Sequence, residues 1–174
     1  MYYVDDFVTT EELISINNTQ KNWGMSDYIH YYASTGNDTY AKLESLCKKY
    51  DALPLKAIIT AINKTFIRDN TIKTGKLNFT DEDFERGDIC LEYINNIKKN
   101  IKVKITTPAT FFLQIAKTYY LEGIDRERLS NSIISKYGTE NYGNSLQCAM
   151  AIEHWYNYKS RTYRYISNEI LPKR

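Results

Sequence analysis

The segment Ile72-Lys73-Thr74-Gly75-Lys76-Leu77 separates two architectures for this chain. Its apolar ends, two lysines and Thr74-Gly75 centre read as a short β-hairpin, with Gly75 supplying the positive φ of the turn. Upstream, Pro54 suits the first turn of a helix that faces Leu55, Ile58, Ile59 and Ile62 inward. Residues 54–79 therefore read as a helix-plus-hairpin element of winged-helix type. Downstream, Thr80 with Asp81, Glu82 and Asp83 opens a long helix, its acids clustered where the helix dipole favours them. Phe84, Leu91, Ile94 and Ile97 form its core side, and Gly87 weakens it slightly.

Helix signals continue in both directions. Toward the N-terminus, Thr9 and Glu12 have capping-box spacing, Ser26-Asp27 starts a second helix that Gly36 stops, and Asn37 or Asp38 caps a third. That third helix places Tyr40, Leu43, Leu46, Cys47 and Tyr50 on one stripe. Toward the C-terminus, Thr107-Pro108, Asp125 and Asn144 each open a helix. The run Arg161-Thr162-Tyr163-Arg164-Tyr165-Ile166 alternates weakly, as a strand or an ordered tail. The expected fold is mainly α: a single helical domain over residues 1–174 with about eight helices, a small central β-hairpin and a basic C-terminal tail at 160–174.

Composition agrees with this. Seven Gly and three Pro are too few turn residues for a many-stranded sandwich or barrel. No apolar run approaches the roughly 18 residues a membrane helix needs, and the Met1–Asp6 stretch is not a signal peptide, so a soluble, cytoplasmic protein is expected. Cys47, Cys90 and Cys148 each stand alone in an apolar helical stretch, without zinc-site spacing, and read as packed thiols. Sixteen tyrosines with abundant Asn, Ile and Lys hint at an AT-rich coding genome.

No motif for catalysis is visible. Cys148 and His154 are six residues apart, on different faces of a helix, and His30 sits among tyrosines. Asp81, Glu82, Asp83 and Glu85 are better explained as helix-start acids than as metal ligands. Gly-rich phosphate loops, HExxH and GxSxG are absent. The reading assigns no catalytic residues, metal or cofactor.

Charge placement is more informative. Asp5, Asp6, Glu11, Glu12 and Asp27 face only Lys21 within residues 1–35, whereas Lys98, Lys99, Lys102 and Lys104 form an acid-free run. Lys64, Arg68, Lys73 and Lys76 surround the expected hairpin, where a winged helix sets cations against a phosphate backbone. The alternative is that these lysines merely guard exposed strand edges. At the C-terminal end, Tyr156, Tyr158, Tyr163 and Tyr165 interleave with Lys159, Arg161 and Arg164, a pattern suited to base stacking and phosphate neutralisation. At helical spacing the rings instead pack inward and leave the cations in water, which is the stronger account of this run.

Several patches, in order, resemble the helical C-terminal portion of phage-borne ParB-like proteins. They are Ile16–Trp23, Asp27–Ala33 with Gly36-Asn37, Leu53-Pro54-Leu55, Gly75–Phe79 and Glu153–Lys159. In that family this portion follows a ParB/sulfiredoxin-type domain, whose Gly/His/Arg-rich loops bind nucleotide or carry nuclease-like chemistry. This chain contains no such His-Arg motif, so that activity is not carried over. The resemblance implies a DNA-binding or protein-binding module, with Leu53 to Phe79 as its working element.

Two functions follow as expectations. The first is a non-enzymatic phage or mobile-element protein that binds nucleic acid, chiefly duplex DNA, through Lys64, Arg68, Lys73 and Lys76, extended by Lys159, Arg161 and Arg164. The second is a phage-encoded inhibitor of a host protein, an anti-CRISPR-like defence antagonist or a replication blocker. Its acidic Asp5, Asp6, Glu11 and Glu12 would then cover a basic site on the target. Exposed tyrosines suit a homodimer as well as a ligand.

Overall fold

Side-chain caps fix where four of the helices begin. In the computed structural model, which describes residues 23–102, 109–138 and 142–171, the helices are α1 (Met25–Ser34), α2 (Asp38–Lys49), α3 (Leu55–Asn63), α4 (Asp69–Lys73) and α5 (Asp81–Asn100), then α6 (Ala109–Tyr119), α7 (Arg126–Lys136), α8 (Ser145–Asn157) and α9 (Ile166–Ile170). Asn37, Asp125 and Asn144 each accept a hydrogen bond from the backbone N–H three residues on, satisfying a donor that the first turn leaves orphaned. At α5 the capping is reciprocal: the Asp83 N–H donates to Thr80 Oγ1 at 3.2 Å, and the Thr80 N–H donates to Asp83 Oδ2 at 3.0 Å.

The two most buried helices, α3 and α6, pack against each other. Every residue from Ala57 to Ile62 in α3 is buried, as is every residue from Phe111 to Ala116 in α6. α5 lies on both, with Phe84, Gly87, Cys90, Leu91, Ile94 and Ile97 on its buried stripe. α1 and α2 pack together, with α4 against α1; at the other end α7 and α9 flank α8, and α8 and α9 reach α6. One cluster of buried side chains runs through all of this, from Ile29 to Ile170.

The central hairpin is corrected: there is no β-strand among the described residues. Residues 69–73 form the short helix α4, and Gly75, at φ +70°, closes it rather than turning a hairpin. The Lys76 N–H donates to the Thr71 carbonyl at 3.1 Å and the Gly75 N–H to the Ile72 carbonyl at 3.4 Å, the paired bonds of a Schellman cap. The sequence cue was shared by both structures. A two-residue hairpin would set Ile72 opposite Leu77 on one face, and the helix with its cap also brings both to the core. Burial decides in favour of the helix: the fully buried Tyr40 donates its hydroxyl to the Ile72 carbonyl at 2.8 Å, pinning the end of α4 to α2. With the hairpin goes the winged-helix reading of residues 54–79.

Two further points concern the ends. The helix expected from Thr9 lies outside the described residues. The C-terminal run, expected as a strand or an ordered tail, continues as far as residue 171 as a loop and the short helix α9, burying Ile166 and Ile170. Among the described residues no helix is long and apolar enough to cross a membrane.

Candidate nucleic-acid interface

The cations of residues 64–76 follow from how α3 ends and α4 begins. Lys64 closes α3 in the left-handed conformation, at φ +66°, which costs a residue with a Cβ about 1 kcal/mol or more. Its ammonium lies 6.0 Å from the ring centre of Tyr120. Arg68 is the N-cap residue of α4, Lys73 ends that helix with its ammonium 5.9 Å from the Tyr28 ring centre, and Lys76 follows the Gly75 cap. All four side chains are exposed, and none forms an ion pair among the described residues. The one acid of the segment, Asp69, is 3.3 Å from the ammonium of Lys56 on α3. Lys64 and Lys73 have different neighbours, Tyr120 of the α6 end and Tyr28 of α1, so the cations are strung along the segment as a basic band in sequence rather than converging on one point.

Elsewhere part of the positive charge is committed, while Lys99, Lys102, Lys136, Lys159 and Arg161 are exposed without an ion pair among the described residues. Lys42 pairs with Asp81, Lys49 with Asp88 and Arg86 with Asp83. Of the three C-terminal cations, Arg164 is bound on both sides: its guanidinium makes two bonds to Glu169, at 3.0 and 3.1 Å, and its backbone is held by the Asn157 amide. Lys159 and Arg161 are exposed, and Lys159 shares the ring of Tyr158 with Lys136, at 5.4 and 3.8 Å. Arg128 donates to the Tyr156 and Tyr158 carbonyls at the end of α8, where a helix leaves its carbonyls unsatisfied. The structure thus joins Lys159 to Lys136 and sets Arg164 apart. Sequence reasoning named neither Lys136 nor Lys56, because an isolated lysine on a helix gives no signal of its neighbours across the fold. In the Lys98–Lys104 run, Lys98 donates to the Ala52 carbonyl and Lys102 is exposed; Lys104 lies outside the described residues, as do Asp5, Asp6, Glu11 and Glu12.

The groups weighed for chemistry hold the fold together. Buried Glu153 accepts from the Tyr163 hydroxyl at 2.8 Å and from the Ser167 N–H and hydroxyl, both at 2.7 Å, anchoring the first turn of α9. His154 is exposed, whereas Cys148 is buried and donates to the Tyr142 carbonyl. Burial pushes the Cys47 and Cys148 thiols up to about 11 and Cys90 to about 12, which keeps them protonated at neutral pH. Among the described residues no three His, Cys, Asp or Glu side chains gather around a point where a metal ion could sit.

A groove of about 800 Å³ lies beside the basic band, between α6, α9 and the turn after α3. Its lining is mostly apolar, from Phe66, Leu113, Leu121 and Ile170 among others, with Lys56, Lys64 and Lys117 also facing it. Neither the groove nor the exposure of Phe66 was expected, since an apolar residue in a sequence reads as core.

Comparison with protein-family models, with curated proteins and with solved structures finds no match to this chain.

Proposed function

We propose that this chain is a binding module for nucleic acid, chiefly duplex DNA, acting in the cytoplasm of a phage-bearing or mobile-element-bearing host. Lys64, Arg68, Lys73 and Lys76 supply the phosphate contacts. One observation carries the reading: these four cations are exposed and unpaired among the described residues, while the acid within their segment is taken by Lys56. Unpaired exposed cations release counterions from a polyanion without first breaking an internal ion pair, and that release is the main sequence-independent source of affinity. The resemblance to the helical portion of ParB-like proteins, which implies a DNA-binding or protein-binding module with Leu53 to Phe79 as its working element, points the same way. Lys159, beside Lys136 and Tyr158, extends the contact; Arg164, bound to Glu169, does not.

The test is retention on duplex DNA at low salt. Charge reversal of Lys73 and Lys76 together is expected to abolish retention while leaving the thermal midpoint within a few degrees, because both side chains are exposed. Retention equal to that of the unaltered chain would remove the proposal.

A further inference from the structure

The groove beside the basic band has the form of a peptide site. Its floor presents Leu113, Leu121, Ile170 and Leu171, and its lip carries Phe66, half exposed at 51% on the turn that follows α3. A large ring left in water beside a concave apolar surface is the usual mark of an interaction site rather than of a core. The charged groups facing the groove are chiefly cationic. Lys64 has no carboxylate within ion-pair distance among the described residues, and Lys117 offers its ammonium to the Ile170 carbonyl at 3.1 Å. Lys56 lies over the Phe66 ring at 5.8 Å. The acid in the lining, Glu169, is already neutralised by Arg164. An occupant must therefore bring apolar side chains on one face and negative charge on another.

We propose that this groove docks a short acidic amphipathic segment of a partner protein, its apolar side chains on Phe66 and Leu113 and its carboxylates toward Lys64 and Lys117. Nucleic acid would place its phosphates over a mostly apolar lining here, whereas the exposed band from Arg68 to Lys76 offers cations without that apolar floor. The groove is thus a second surface, sharing only Lys64 with the first. A bound acidic segment would screen Lys64 and weaken, without abolishing, contact with phosphates.

The experiment uses the full chain and a fluorescein-labelled helical peptide of glutamate with leucine at i, i+3, i+4 and i+7, read by anisotropy. Saturable binding is expected, weakened about tenfold or more by Phe66→Glu, as for an aromatic anchor at the centre of a contact. Lys64→Glu should weaken it about fivefold or more, and it serves as the second variant if Phe66→Glu does not fold. The Lys73→Glu, Lys76→Glu double variant should bind the peptide within about twofold of the unaltered chain while losing DNA retention, so failure of either surface is distinguishable from failure of the other. Three results would overturn the proposal: no saturable binding, equal binding of the peptide with lysine in place of glutamate, or unchanged affinity in both Phe66→Glu and Lys64→Glu. Loss of DNA retention in Phe66→Glu would also overturn it, by giving the groove to nucleic acid.

Discussion

At Gly75 the backbone holds φ at +70° with the Tyr32 ring directly above it, so that a Cβ there would lie 2.7 Å from Tyr32 Cε1. Two costs add in Gly75→Ala: the left-handed conformation, about 1–2 kcal/mol, and displacement of a ring whose hydroxyl donates to the Lys73 carbonyl at 3.1 Å. The expected loss is about 2 kcal/mol or more, measured by urea denaturation, with α4 released first in hydrogen exchange. Gln114 poses the opposite case. It is 1% exposed on α6, and neither its amide oxygen nor its nitrogen has a hydrogen-bond partner among the described residues. A buried amide without partners costs about 1–3 kcal/mol, so Gln114→Met, of similar volume, is expected to raise the thermal midpoint. A lower midpoint would show that the amide is satisfied after all. Neither feature could be read from the sequence. A glutamine at a core position of a helix looks like a surface glutamine one position out of phase, and Gly75 announced its positive φ but not the element it would serve.

Elements differ in how much of them local sequence determines. The starts of α2, α5, α7 and α8 were legible because Asn37, Thr80, Asp125 and Asn144 cap by chemistry confined to one turn. The five-residue helices α4 and α9 were not, since one turn carries no periodicity and such a helix exists only because the fold buries Ile72, Ile166 and Ile170. Gly87 was legible as a residue but not as a contact. A methyl group there would meet Ile62 Cα at 2.9 Å, where α5 crosses α3. Helix propensity alone favours alanine by about 1 kcal/mol. Backbone cannot yield as a side-chain tip can, so the clash outweighs that gain, and Gly87→Ala is expected to destabilise by about 1–3 kcal/mol in the same denaturation assay. The α5 cap also sets a pH response. The Thr80 backbone bond, then the Arg86 guanidinium and the Thr80 hydroxyl, hold the Asp83 carboxyl down to about 2, from an ordinary 3.8. A carboxyl depressed in the folded state stabilises above its unfolded pKa and loses that contribution as pH falls through its folded one. The Asp83 share of stability is therefore complete above about pH 4 and lost toward pH 2. Asp83→Asn should flatten the fall in thermal midpoint across that interval and leave the shape of the curve above it unchanged.

Across the whole molecule, the proposed function rests on which charges remain unpaired, and pairing is a property of the fold rather than of composition. The candidate residues themselves were legible, since lysines and arginines in an acid-poor run stand out along the chain. Their availability was not. Arg164 and Glu169 are five residues apart across a loop–helix junction, a spacing that no helix rule links, yet they form a bidentate pair. This division yields a measurement. For duplex DNA the slope of log affinity against log salt is about 0.9 for each phosphate neutralised. Neutralising Lys73 and Lys76 one at a time as Gln should lower that slope by about 0.9 at each step, with weakening similar across DNA sequences because phosphate contacts carry no base information. Arg164→Gln should leave the slope where it was and lower the thermal midpoint instead, because it strips Glu169 of its partner at the wall of the groove. Fluorescence titrations between 50 and 200 mM salt, run on all three variants alongside melting curves, separate the two effects. A slope that falls in Arg164→Gln and holds in Lys73→Gln and Lys76→Gln would move the interface to the C-terminal loop and away from α4.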